Sequence, residues 1–145
     1  MIILAFDYGT KKIGVAIGEF FTSIARPIKC ISYKKNYLIH IEKIIYEWKP
    51  KKIIVGLPLN YKGKFQKTTV KAKNFALNIF KKFNIKVILH DERFSTIEAK
   101  SILFKKKGSK LLTLNKINST SAYIILKSWL YEKKKQKNKR KLKFF

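Results

Sequence analysis

The sequence predicts an α/β fold: a mixed five-stranded sheet with helices on its faces. Three observations point to it. Two apolar runs near the start, residues 2–7 and 13–18, flank the tight-turn stretch "YGTKK" and read as an antiparallel pair. Two later runs, "KIIVGLPL" and "KVILHDE", are short and apolar, the pattern of parallel strands covered on both faces. The stretches around them repeat their apolar residues at helical spacing. A three-strand antiparallel meander therefore feeds two parallel strands through helical crossovers.

Each element follows from its residues. The first strand ends on Asp7, and "PIKCISY" (27–33) makes the third. Residues 37–48 put Ile41, Ile44, Ile45 and Trp48 on one helical face, and Pro50 ends that helix. The strand "KIIVGLPL" stops at Pro58. Residues 66–83 place Ala72, Ala76, Ile79, Phe80 and Phe83 on one face of a second helix. The strand at 86–92 comes next. Ser95 and Glu98 then form an S-x-x-E capping box, so a helix is expected to start just after Ser95. Residues 105–117 read as a loop. A last helix covers about 119–133, with Ala122, Ile125, Leu126, Trp129 and Leu130 on one side. Residues 1–132 are expected to form one domain, and 133–145 a disordered or fraying basic tail.

The 145 residues suffice to bury a core, and no apolar run reaches the 18 or more residues of a membrane span. The start reads as a strand rather than a signal peptide. A cytoplasmic protein is expected, with no membrane partner. The single cysteine, Cys30, can form no internal disulfide and reads as a small buried hydrophobe. Lys and Arg number 34 against 8 acidic residues, a net charge of +26. The tail holds eight of those 34, so the excess persists without it. Such a charge suits a polyanion, most simply nucleic acid. A Lys-, Ile-, Asn- and Phe-rich composition, as an AT-rich genome produces, accounts for part of the lysine.

Against this background the two aspartates stand out. Asp7 ends the first strand; Asp91 and Glu92 end a later one. Ligands of open sheets gather outside the carboxyl ends of parallel strands. If those strands are neighbours, the carboxylates converge and need a cation between them, for which Mg²⁺ or Mn²⁺ suits oxygen donors. Two such ions can clamp a phosphodiester for in-line displacement. Asp7 could instead cap the turn "DYGT", and Asp91-Glu92-Arg93 could be a surface ion cluster.

The stretches "AFDYGTKKIGVAIGE", "IIVGLPLN", "LHDERFSTIEA" and "SAYIILKSWL", in this order and spacing, resemble the YqgF family. The family comprises small bacterial nucleases of pre-16S rRNA related to Holliday-junction resolvases. The resemblance spans residues 2 to about 131. It implies a ribonuclease H-like fold, a phosphodiester hydrolase, Mg²⁺ or Mn²⁺ as cofactor, and a role in ribosome biogenesis at the 5′ end of pre-16S rRNA. The implied partners are RNA and the pre-ribosome, with DNA as the alternative nucleic acid and either a monomer or a homodimer as the assembly. Asp7 matches the first acidic position. The second falls in "DER", with Glu92 preferred and Asp91 the alternative. Gly9, Thr10 and Gly14 match the turn and hairpin beside Asp7. Gly9, Thr10, Lys12, Asn60, Arg93 and Thr96 are the expected substrate-binding residues, and Ser95 serves as helix cap. The third acidic position, in "V-D-S-x-A", is occupied here by Asn118, a neutral third ligand. Lys62 stands where the family loop usually carries an aspartate.

Of the other residues, His90 and the two tryptophans read as packing. Tyr61 and Phe65 could stack on bases or pack. Three alternatives accompany the nuclease: a catalytically weakened RNA-binding assembly factor, a Holliday-junction-type DNA resolvase, and a phosphotransferase of the actin and sugar-kinase superfamily. The chain is short for the last, which needs two such lobes.

Overall fold

The first strand, β1 (Ile2–Tyr8), forms the middle of the sheet. A computed structural model describes residues 1–9, 11–32, 36–92 and 114–143. The helix expected after Ser95 and most of the 105–117 stretch lie outside these residues. The chain continues through β2 (Lys12–Glu19), β3 (Ala25–Ser32), α1 (Tyr37–Trp48), β4 (Lys52–Leu57), α2 (Lys67–Phe83), β5 (Lys86–Asp91) and α3 (Leu114–Lys143). The strand order is β3-β2-β1-β4-β5. β1, β2 and β3 are antiparallel, while β4 runs parallel to β1, and β5 to β4. This is the mixed five-stranded sheet that the sequence predicts.

Strand alternation sends successive residues of β1 to opposite faces. Leu4 and Phe6 pack with Ile41 and Ile44 of α1 and with Phe75, Ala76 and Ile79 of α2. Ile3 and Ala5 pack on the other face with Ala122, Ile125, Leu126, Trp129 and Leu130 of α3. Asp7, two residues beyond Ala5, shares the α3 face.

The structure departs from expectation in five places. Cys30, on the edge strand β3, is half-buried rather than buried. On α2, Phe75 is buried and Phe80 is exposed, because positions 72, 75, 76 and 79 form the i, i+3, i+4, i+7 stripe. β5 is an edge strand with Leu89 exposed, not a fully buried one. α3 begins at Leu114, inside the stretch read as a loop. It also continues to Lys143, through the segment expected to fray. No Gly or Pro interrupts 114–143, and Lys, Gln and Arg are good helix formers. Among the described residues, no helix is long and apolar enough to cross a membrane.

Candidate functional site

The parallel strands β1, β4 and β5 all end at one edge of the sheet. Gly14 of β2 pairs with Asp7, and Gly56 of β4 pairs with His90 of β5. The β1–β4 register, which pairs Phe6 with Val55, brings Asp7 level with Gly56. Asp7 is therefore flanked on the α3 face by two glycines. The result is a trough whose floor carries no side chain on either side of the carboxylate.

Glu92 closes over this trough. Its backbone N–H donates to the Leu57 carbonyl at 3.2 Å, which extends the β4–β5 ladder by one residue. Its side chain then lies across Gly56. A Cβ built on Gly56 would overlap Glu92 Oε2 and come within 2.5 Å of Ile125 Cδ1 on α3. No residue other than glycine fits there without displacing the Glu92 carboxyl. Gly56 is the functional residue that the sequence reading missed. Its signal was a glycine inside an otherwise β-branched strand, which often marks a close approach.

The carboxyls of Asp7 and Glu92 are hydrogen-bonded to each other. Burial pushes Asp7 up to about 6, while the hydrogen bond from Glu92 pulls the other way. Burial, the Asp7 charge and the hydrogen bond that Glu92 donates push Glu92 up to about 8. Both carboxyls are thus held above the usual carboxylate range, which favours a proton shared between them. Desolvating one carboxylate costs several kcal/mol, and a charge-assisted hydrogen bond returns about 1.5–3 kcal/mol. That balance explains why one proton stays. The overall charge of +26 does not neutralise the pair locally: among the described residues, neither carboxylate forms an ion pair with a lysine or arginine.

This donor set fits a hard divalent cation. Two carboxyls that share a proton present oxygen atoms to one point, and a cation there satisfies both once the proton leaves. Among the described residues no third His, Cys, Asp or Glu joins them. Asp91 is exposed and, by strand alternation, lies on the face opposite His90 and Glu92. Asn118 lies on the first turns of α3, and its side chain is outside the described residues. Thr10, Arg93, Ser95 and Thr96 are outside them too.

The other expected residues occupy the rim. The Gly9 N–H donates to the Lys12 carbonyl at 3.0 Å, and a Cβ on Gly9 would meet that oxygen at 2.6 Å. Gly9 thus closes the β1–β2 turn on itself. Lys12 opens β2 on the same face as Asp7. The side-chain oxygen of Asn60 accepts the Lys62 and Lys64 amides at 2.9 and 2.8 Å, so Asn60 shapes the loop after β4. That loop holds Tyr61 and Phe65 in solvent, 85% and 56% exposed, which excludes the packing alternative for both. Lys62 Nζ lies 5.6 Å from the Tyr61 ring and Lys73 Nζ 4.9 Å from the Phe65 ring. His90 is only 7% exposed and its Nε2 meets Ser128 Oγ of α3 at 3.0 Å. Burial holds its pKa below the usual histidine value, so it ties β5 to α3 as a neutral ring.

A sequence profile of RuvX, described as Holliday junction resolvase, matches residues 1–132. The chain belongs to the RuvX (YqgF) family. Its relatives include a protein of Wigglesworthia glossinidia brevipalpis named "Putative pre-16S rRNA nuclease", 51% identical over 131 residues, covering 89% of this chain and 91% of that one. A Salmonella dublin protein of the same name is 48% identical and covers 88% and 94%. Among solved structures, Thermus thermophilus RuvC in complex with a Holliday junction superposes with a TM-score of 0.57 at 14% identity, over 92% of this chain and 96% of that one. The fowlpox virus Holliday junction resolvase does so at 0.60 and 18%, over 91% and 99%. At such identities the likeness is one of fold, and it shows that the RuvX chain has the ribonuclease H-like fold.

Proposed function

We propose that the chain is a metal-dependent endonuclease acting on structured RNA, with the 5′ end of pre-16S rRNA as its substrate. The observation that carries the reading is the proton-sharing Asp7–Glu92 pair, set in a glycine-floored trough of a strongly basic chain. The names of its relatives and its RuvX membership support the substrate class. Asp7 and Glu92 would hold Mg²⁺ or Mn²⁺, with the Asn118 amide carbonyl as a neutral third ligand. Bound there, the ion supplies a Lewis acid and an activated water for in-line attack on a phosphodiester. The chain's own residues do the rest. The pair gives up its shared proton on loading, Gly56 lets the Glu92 carboxyl reach Asp7, and Gly14 leaves room for the phosphate on the other side. Lys12 and Arg93 draw in the backbone, and Tyr61 and Phe65 offer faces to unpaired bases.

The test is cleavage of a precursor RNA spanning the 5′ end of 16S rRNA, with Mg²⁺ or Mn²⁺. Wild type is expected to cut. Asp7→Ala should fall by more than the roughly 10–100-fold that follows loss of a residue merely orienting a ligand. Equal activity of the two proteins would remove Asp7 from the mechanism. A second reading rests on Asn118: an RNA-binding assembly factor with weakened chemistry. Cleavage by Asn118→Asp but not by wild type would favour it. Preference for a four-way DNA junction over the RNA would instead favour a resolvase.

A further inference from the structure

At the opposite end of β1 from Asp7, the turn between β2 and β3 faces the later part of α3. Between them lies a cavity of about 210 Å³ walled by Phe20, Phe21, Leu130, Lys133, Lys134 and Lys137. β1 is seven residues long, so at about 3.3 Å per residue some 20 Å of strand separates this cavity from the carboxylate pair.

The turn is held rigidly. The Phe20 N–H donates to the Met1 carbonyl at 3.0 Å and the Glu19 N–H to the Ile24 carbonyl at 2.9 Å. Glu19 Oε2 accepts the Thr22 N–H at 2.7 Å, and Lys127 Nζ donates to the Ser23 carbonyl at 2.9 Å. All this fixes Phe21 with 75% of its surface in water. Its ring stands edge-on to Phe20 at 5.4 Å, and Phe20 leans on Trp129 at 6.1 Å. Lys52 and Lys133 cover the Trp129 ring at 5.8 and 5.7 Å, so packing explains those two lysines. It does not explain the exposed Phe21, Lys134 and Lys137. Among the described residues, no acidic side chain lines the cavity.

A fixed, solvent-exposed aromatic face beside a row of lysines is the chemistry that binds single-stranded nucleic acid. The volume is below the roughly 300 Å³ of pockets that enclose whole small ligands, and suits one unit of a polymer. We propose that this groove is a second RNA-binding site. One base stacks on Phe21 and the neighbouring phosphates lie on Lys134 and Lys137. It would grip a single-stranded segment of the substrate some 20 Å from the site of cleavage. The proposal rests on the reading of the chain as an RNA nuclease.

The experiment is fluorescence anisotropy of the full chain with a labelled single-stranded RNA in EDTA, over a range of salt. Phe21→Ala should weaken binding by about fivefold or more with the salt slope unchanged. The double variant Lys134→Gln, Lys137→Gln should lower the slope of log K against log salt by about 1.4, that of two phosphate contacts on a single strand. Both changes are on exposed side chains, so thermal melts should match wild type. Variants that bind RNA as wild type does would overturn the groove and leave the nuclease reading intact. Failure of wild type itself to bind RNA would overturn both. If Phe21→Ala lost binding only to phosphatidylserine vesicles, the groove would be assigned to a lipid surface and the RNA proposal overturned.

Discussion

Burial raises both Asp7 and Glu92, the Asp7 charge raises Glu92 further, and the shift has a consequence for stability. Both stand above their ordinary values of 3.8 and 4.5, at about 6 and about 8. Between about pH 4 and pH 8 this pair therefore binds more protons in the folded chain than in the unfolded one, against a smaller opposite contribution from the lowered His90. Metal-free stability should fall as pH rises through that window and level off above it. Asp7→Asn removes one charge of the pair. It should raise the melting temperature at pH 8 in EDTA, by about 2–4 °C for each kcal/mol of relief. Melts at pH 5 and pH 8 check this; an Asn variant no more stable than wild type at pH 8 would contradict it. Gly56→Ala is expected to cut activity by more than about tenfold, because its Cβ displaces Glu92; kinetics with a melt as control reads this directly. The two acidic residues were legible in the sequence because acids are scarce in this chain and both end apolar runs. Gly56 was not, because its role depends on a side chain 36 positions later folding back over it.

At the scale of elements, α3 walls the site and α2 anchors the loop that follows β4. Thr69, buried in the first turn of α2, donates its hydroxyl to the Pro58 carbonyl and accepts the Gln66 N–H at 2.9 Å. It fastens the aromatic loop after β4 to the helix that follows. Thr69→Val should cost about 1–3 kcal/mol, by leaving both partners without this hydroxyl, as measured by urea unfolding. The order of strands and helices was legible from apolar spacing. So was the buried face of α3, where all five expected residues lie inside. Phe75 and Thr69 were not. Phe75 lies one position from the residues chosen on α2, and Thr69's partner is 11 residues away, where helical periodicity carries no information.

Across the whole molecule, an excess of 26 positive charges accompanies the acidic trough of Asp7 and Glu92. Such a charge attracts a polyanion, and under the proposed function the Asp7–Glu92 pair is where a cation would sit. Removing residues 133–145 should flatten the salt dependence of RNA binding; an unchanged slope would show that this segment meets no phosphate. Net charge was legible from composition, but its arrangement was not. The groove beside Phe21 joins a β-turn to a helix more than 100 residues later, and only the fold brings them together.

The most direct measurement is Mn²⁺ titration by calorimetry at pH 7, in buffers of different ionisation enthalpy. Wild type should bind and release about one proton per ion, the proton that Asp7 and Glu92 share. Asp7→Asn should bind far more weakly. Equal binding by both proteins, or binding without proton release, would contradict a metal site built on this pair.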